Sequence, residues 1–404
     1  MKQQKYLSTP AMVIYIAFVN MFVPFSTDVY MPSLPEMGKY FSVSEFLVGL
    51  TLTIFFLFFA MSIILFGPLS DKYGRRPILI FGSLVYTVAS FACVLSVDIY
   101  SLFIGRFFQA LGAGALATVA TAVIKDCFSG SIMSRILAIT QILGVVAPMI
   151  APIVGGFLLT FTDWRGSFWL LTILGAINLI VAFLFCETLP KNQRYRGGIF
   201  NSFTLLVEVG KKKYFMATLV MFSILFMPYM AYLSASSFIY IENFGLTAQE
   251  YSYFFAINSA ASIAGPILYL KLKDTLLNAR ILHLSYLVAI ISGILVLTVG
   301  KSAAVIFLLS FLPFTAIGAL VRPFSMEVLL LEAKDNVGTA SSMINFLPTL
   351  FGSVGMMSGT LPWGNFVNGL GIIMTTATVL SILLWIMIRN KKFGSARQSA
   401  SDIT

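Results

Sequence analysis

The sequence predicts an all-α membrane protein with twelve transmembrane helices arranged as two pseudo-symmetric six-helix bundles. Three observations carry that expectation. Of the 404 residues 58% are hydrophobic and only 10% charged, with a mean hydropathy of +0.92, whereas soluble domains carry about 25% charged residues. The apolar residues recur along the whole length as separate runs of about 20 residues, the length that crosses the hydrocarbon of a bilayer. No run shows the alternating pattern of a barrel strand, and backbone polar groups cannot go unpaired in lipid, so the runs are helices.

Taken in order, the runs fall near 10–34, 46–69, 77–96, 102–124, 136–160, 166–186, 215–241, 249–270, 281–299, 302–325, 338–361 and 367–388. The first is too long for a removable signal peptide and lacks a small-residue cleavage site. Twelve crossings return both termini to one side of the membrane. With the N-terminus in the cytoplasm, the cytoplasmic segments hold Lys2, Lys5, Lys72, Arg75, Arg76, Lys125, Arg135, Lys191, Arg194, Arg196, Lys211, Lys212, Lys213, Lys271, Lys273, Arg280, Arg322, Lys334, Arg389, Lys391, Lys392 and Arg397. Only Lys39, Arg165 and Lys301 fall on the far side, and Arg106 lies within a span. The positive-inside rule therefore places both termini in the cytoplasm. It also accounts for the net charge of +10 without nucleic acid, since basic residues are favoured beside anionic lipid.

The expected domains are an N-terminal bundle at 1–186, a basic cytoplasmic linker at 187–214, a C-terminal bundle at 215–390 and a cytoplasmic tail at 391–404. The tail is short and polar, and reads as a disordered end. Gly67-Pro68, followed by Asp71, Arg75 and Arg76, is echoed by Gly265-Pro266, followed by Lys271, Lys273, Asp274 and Arg280. Two related six-helix halves around a midplane cavity would leave such an echo. Cys93, Cys127 and Cys186 have no paired spacing, and the single His283 reads as a polar helix-end residue. No metal site, disulfide framework, nucleophile–base pair or phosphate loop is legible. No cofactor, no metal and no enzymatic activity are expected.

Asp28 is the acid of the first run, in the stretch Phe-Ser-Thr-Asp-Val-Tyr-Met-Pro, with Pro24, Pro32 and Pro35 interrupting the helical ladder around it. An ionised carboxylate in hydrocarbon costs several kcal/mol, so such a residue ordinarily faces a watery or protein-lined cavity. Two readings fit: a proton-carrying group of a transporter, or an acid at the membrane surface, because Asp28 lies nearer the end of its run than the middle. Arg106 opens the fourth span with Gln109 one turn further on. Arginine cannot shed its charge, so it is either buried against acceptors or snorkels to the surface.

After the second span comes Gly67-Pro-Leu-Ser-Asp71-Lys-Tyr-Gly74-Arg75-Arg76-Pro77. It reads as a tight turn whose charges suit bonds across a helix contact, or as an ordinary positive-inside loop. The fifth span carries Pro148, Pro152, Gly155 and Gly156, where prolines bend the backbone and glycines admit close neighbours. This reads as a shaped hinge. Asn20, Tyr30, Gln109, Tyr229 and Tyr232 are the candidates for lining a substrate cavity, with intramembrane polar groups such as Asn20 serving equally well as bonds between helices.

These motifs resemble the major facilitator superfamily, and within it the drug:proton antiporters with twelve spans of the Bcr/CflA drug-resistance group. The resemblance covers nearly all of residues 8–390. Gly67–Leu79 is similar to the superfamily's signature loop, and Arg106, Gln109 and Gly112 to its fourth-span motif. Pro152, Gly155 and Gly156 are similar to the exporters' fifth-span motif, although Ala151 replaces the glycine usual before that proline. The stretch from Asp28 to Pro35 resembles the group's first-span signature, and Asp163-Trp164-Arg165 the turn before its sixth span. The resemblance implies alternating access in a bacterial cytoplasmic membrane, with proton-coupled efflux of small amphipathic drugs or metabolites by a monomer. It also implies roles: Asp28 as proton acceptor, Arg106 as its tuner, and the loop at Asp71 as a cytoplasmic latch. Some multidrug relatives carry a second acid about two turns before the aspartate, where this chain has Asn20, which implies one proton per cycle. The alternative on the same scaffold is a proton-coupled importer of a nutrient or metabolite.

Overall fold

Regular structure in the computed structural model, which describes residues 9–195, 208–276, 278–333 and 337–401, is helical throughout. The chain opens with α1 (Thr9–Asp28), which passes through a 3-10 turn at Met31–Ser33 into α2 (Leu34–Phe41). Then follow α3 (Glu45–Tyr73), α4 (Arg75–Val94), α5 (Ile99–Cys127), α6 (Gly130–Leu158) and α7 (Arg165–Leu184). Beyond 208 come α8 (Lys213–Ser237), α9 (Ala248–Ala261), α10 (Ala264–Leu272), α11 (Asn278–Thr298), α12 (Ala304–Ala333), α13 (Val337–Gly359) and α14 (Phe366–Ser401).

Among the described residues ten helical segments are long and apolar enough to cross a membrane, and they coincide with ten of the expected runs. The other two runs coincide with α6 and α13, some of whose side chains lie outside the description. Local chemistry sets the boundaries. Ser44 caps α3, and Asp98 caps α5 by accepting from the backbone of Tyr100 and Ser101, with the Ser101 hydroxyl returning the contact. Such caps satisfy the orphan N–H groups of a first turn. Gly74 alone separates α3 from α4, at φ +105°, a conformation that side chains other than glycine's adopt only at a cost.

Three boundaries differ from expectation. The eighth span is interrupted at Ser262–Ile263, between α9 and α10. Pro266 has no N–H to offer the carbonyl of Ser262, and its ring crowds that turn. α8 continues as a π-helical turn over Phe238–Asn243. The tail read as disordered is helical as far as Ser401, since extending an existing helix needs no nucleation and Lys, Arg, Gln and Ala extend it well. Arg322, placed with the cytoplasmic segments on the grounds of charge, lies inside α12, well before that helix ends. In the linker, Arg196 and the rest of 196–207 lie outside the described residues, as does Lys334.

Packing groups the chain into two units: Met1–Asn201 with Ser234–Ala260 and Thr360–Pro362, and Ser202–Leu233 with Ala261–Gly359 and Trp363–Thr404. The first unit thus includes, besides the N-terminal bundle, the segment spanning the end of α8 and most of α9. Its core runs along α5, whose Ala110, Ala113, Ala115 and Leu116 are fully buried between α3 and α4. Small side chains let these helices approach closely, which is how membrane helices gain packing energy when water does not drive them together. The second unit builds its core where α11 meets α12 and α14, around Leu219, Phe222, Ile281, Leu320 and Phe324.

Candidate functional site

Within the first unit, polar groups of four helices converge on Arg106 of α5. Its side chain is 0% exposed, so it is held inside the bundle and does not snorkel. The guanidinium donates to the carbonyl of Ser26 at the end of α1 (2.8 Å), to the carbonyl of Thr51 in α3 (3.3 Å) and to Oε1 of Gln109 (2.5 Å). Gln109 in turn donates to the Ser90 hydroxyl of α4 at 2.7 Å. The Phe55 and Tyr30 rings lie 4.3 and 4.6 Å from the guanidinium carbon, and Tyr30 shares a hydrogen bond of 3.0 Å with Thr51. Among the described residues, carbonyl dipoles and ring faces therefore offset the charge without a carboxylate, and one amino group, Nη2, is buried without a partner. The sequence candidates Arg106, Gln109 and Tyr30 thus form one cluster.

Asp28 is the last residue of α1 and is 4% exposed. Its Oδ1 accepts from the Thr27 hydroxyl at 2.7 Å, and no cation pairs with it among the described residues. Ser26, whose carbonyl holds Arg106, also shares a hydrogen bond of 2.6 Å with the Tyr86 hydroxyl. The turn that carries Asp28 is thereby tied to α4 and α5. Just past Asp28 the backbone leaves the α-helix, and Gly155 of α6 lies directly against the Val29 carbonyl, where any Cβ would collide. The Ser167 hydroxyl of α7 donates to that same carbonyl at 3.2 Å. Gly156 packs against Ser252 and the backbone of Ala248, and the Ser252 hydroxyl donates to the Pro152 carbonyl at 2.7 Å. Pro148 and Pro152 both lie inside α6, which continues through them. The glycines serve close packing beside the acid.

At the other end of the unit, Arg75 joins three helices. It pairs with Asp71 at 2.6 Å and with Asp126 of α5 at 2.9 Å, and donates to the Ser70 hydroxyl at 2.7 Å. Glu187 accepts from the backbone N–H of Arg75 (2.9 Å) and Arg76 (3.4 Å), capping α4 with negative charge where its dipole is positive. Arg194 pairs with Glu187 at 3.3 Å, and Tyr195 N–H donates to the Asp71 carbonyl. Arg76 reaches back to the Phe183 carbonyl at 2.9 Å. Gly67, read as the start of a tight turn, lies inside α3, which continues through Pro68 to Tyr73, so the turn is confined to Gly74.

The signature of the Major Facilitator Superfamily matches residues 16–356. The chain belongs to that superfamily. An uncharacterized MFS-type transporter of Bacillus subtilis, YdgK, is 29% identical over 85% of this chain and 87% of its own. A bicyclomycin resistance protein homolog of Haemophilus influenzae is 28% identical over 74% and 75%. Among solved structures, the nucleoside transporter NupG superposes with a TM-score of 0.73 at 11% identity, covering 94% of this chain and 98% of that one. The protein is a multi-pass membrane transporter with the all-helical fold of that superfamily.

The remaining cavity candidates of the transporter are dispersed. Asn20 is half-buried and donates to the Ile16 carbonyl of its own helix. Tyr229 and Tyr232 belong to the second unit. Tyr232 is fully buried and stacks on Phe311 at 4.3 Å, while Tyr229 is half-buried. Sequence reasoning missed Ser26, Thr51, Tyr86 and Ser90 around Arg106, and Asp126 and Glu187 around Arg75. The hydroxyl residues gave no signal, because serines and threonines abound in spans and ordinarily bond their own helix. Asp126 and Glu187 did give one: each is an acid on a flank otherwise rich in lysine and arginine.

Proposed function

We propose that this transporter exports small amphipathic drugs or metabolites in exchange for protons, by alternating access, with Asp28 as the proton carrier. The observation that carries the reading is a buried carboxyl without a cationic partner among the described residues, on a turn braced by Arg106 through Ser26. A carboxyl in that position is free to exist charged or neutral, which a permanently paired aspartate is not. Proton and substrate that prefer different protonation states of one carrier are coupled by mass action alone. Each proton moving down 100 mV supplies about 2.3 kcal/mol, before any pH gradient. Arg106 keeps the turn in shape through its bond to the Ser26 carbonyl. The Asp71–Arg75–Asp126 cluster is assigned the role of latch at the cytoplasmic face.

Export in preference to import is supported by the relative named for bicyclomycin resistance. The test is a drug-susceptibility panel on an efflux-deficient host expressing the wild type or Asp28→Asn, with and without an uncoupler. Protection by the wild type, abolished by uncoupler and absent in an inserted Asp28→Asn protein, is expected. Undiminished protection by Asp28→Asn would overturn the assignment.

A further inference from the structure

Arg322 is the charge that the mechanism above leaves unused. It lies within the membrane-crossing part of α12 and is exposed, and its guanidinium makes no hydrogen bond or ion pair among the described residues. An unpaired arginine there faces either lipid or an aqueous space, and the helix periodicity decides between them. At about 100° per residue, Arg322 falls within about 20° of Phe311 and about 40° of Gly318 on the helix circumference. Phe311 stacks on Tyr232 of α8 in the same unit, so this face looks inward. The most exposed leucines of α12, Leu309 at 62% and Leu331 at 66%, sit on the other side, about 140° and about 180° from Arg322.

The surroundings fit a ligand. A Cβ added at Gly318, one turn before Arg322, would meet nothing, so the space in front of this face is open. Tyr229 lies one turn from Tyr232 on α8 and within electrostatic reach of Arg322. The acid five residues on, Glu327, is about 140° around the helix and accepts from Tyr269 at 2.5 Å. What remains is a cation beside aromatic surface and open volume, with five fixed donors suited to a planar acid.

We infer that Arg322, with Tyr229 and the space at Gly318, is a subsite for the carboxylate of an aromatic organic acid. This deepens the export reading by naming a substrate class, and rests on that reading only for the direction of transport. The test is equilibrium binding, which needs no gradient: titration calorimetry of the full-length protein in detergent with 1-naphthoate and its neutral match, 1-naphthamide. Wild-type protein is expected to bind the acid about tenfold more tightly than the amide, the worth of one charge-assisted contact. Arg322→Gln is expected to bind both equally, and Arg322→Lys, which keeps the charge, to retain most of the preference. A monodisperse elution profile with unchanged melting temperature certifies each variant. Equal affinities in the wild type, no saturable naphthoate binding, or an undiminished preference in Arg322→Gln would each overturn the inference. Failure of Asp28→Asn to abolish efflux would instead strike the proton mechanism and leave this subsite standing.

Discussion

Arg106 shows how a permanent charge is kept inside a membrane bundle by groups that carry no opposite charge. Its acceptors lie in different directions, on Ser26, Thr51 and Gln109, and a planar fork meets them where an ammonium reaches fewer. Arg106→Lys is therefore expected to lower uncoupler-sensitive efflux by about tenfold or more, with a fall in melting temperature of the purified protein, because buried acceptors lose their donors. Unchanged efflux in that variant would detach Arg106 from the turn of Asp28. Around Arg75 the two acids are unequal. Asp71 is 54% exposed and Asp126 only 17%, and solvent screens the first pair more. Asp126→Asn is expected to destabilise the protein more than Asp71→Asn, by roughly 1–2 kcal/mol, as read by thermal unfolding in detergent.

The helices divide into those whose ends are written in the sequence and those whose ends are set by partners. Asp98 and Ser44 announce their caps locally. Glu187 caps α4 from across the chain, and nothing in the residues flanking Arg75 foretells it. Removing that charge with Glu187→Gln is expected to cost about 1 kcal/mol, a helix-dipole and capping contribution. α6 illustrates the opposite case: its Pro-Gly pattern was visible, but the pattern alone does not say what the glycines meet. They meet Val29 and Ser252. Gly155→Ala is expected to displace the backbone beside Asp28, lowering both melting temperature and efflux, with a cost of about 1–3 kcal/mol from overpacking. Near-wild-type behaviour would show that α6 yields at little cost.

For the molecule as a whole, what was legible follows from the solvent. A bilayer forces apolar runs of nearly fixed length, so the twelve spans were readable from hydropathy; the interruption at Ser262 was not, because prolines such as Pro68 and Pro152 lie inside helices that continue through them. Apolar runs do not say where a charge within them sits, however: Arg322 falls inside the tenth run, 302–325, yet its charge alone groups it with the cytoplasmic segments, and the helix carries on past it to Ala333. Nor do they say which way a side chain turns, and Arg106, close to the start of its span, was equally compatible with a surface position. The cytoplasmic placement of both termini rests on charge alone and is open to labelling. In a cysteine-free background, a thiol at Lys301→Cys is expected to react with a membrane-impermeant maleimide in intact cells, and one at Lys72→Cys only after permeabilisation. The reverse pattern would invert the orientation.

The proton itself offers the most direct test. Purified wild-type and Asp28→Asn proteins in liposomes containing a trapped pH-sensitive dye are given an imposed gradient of a compound against which the wild type protects the efflux-deficient host, with no other driving force. Wild-type liposomes should show a drug-driven proton flux opposite to the drug, collapsing with uncoupler, and Asp28→Asn liposomes should show none. Equal proton fluxes in both would contradict the role of Asp28.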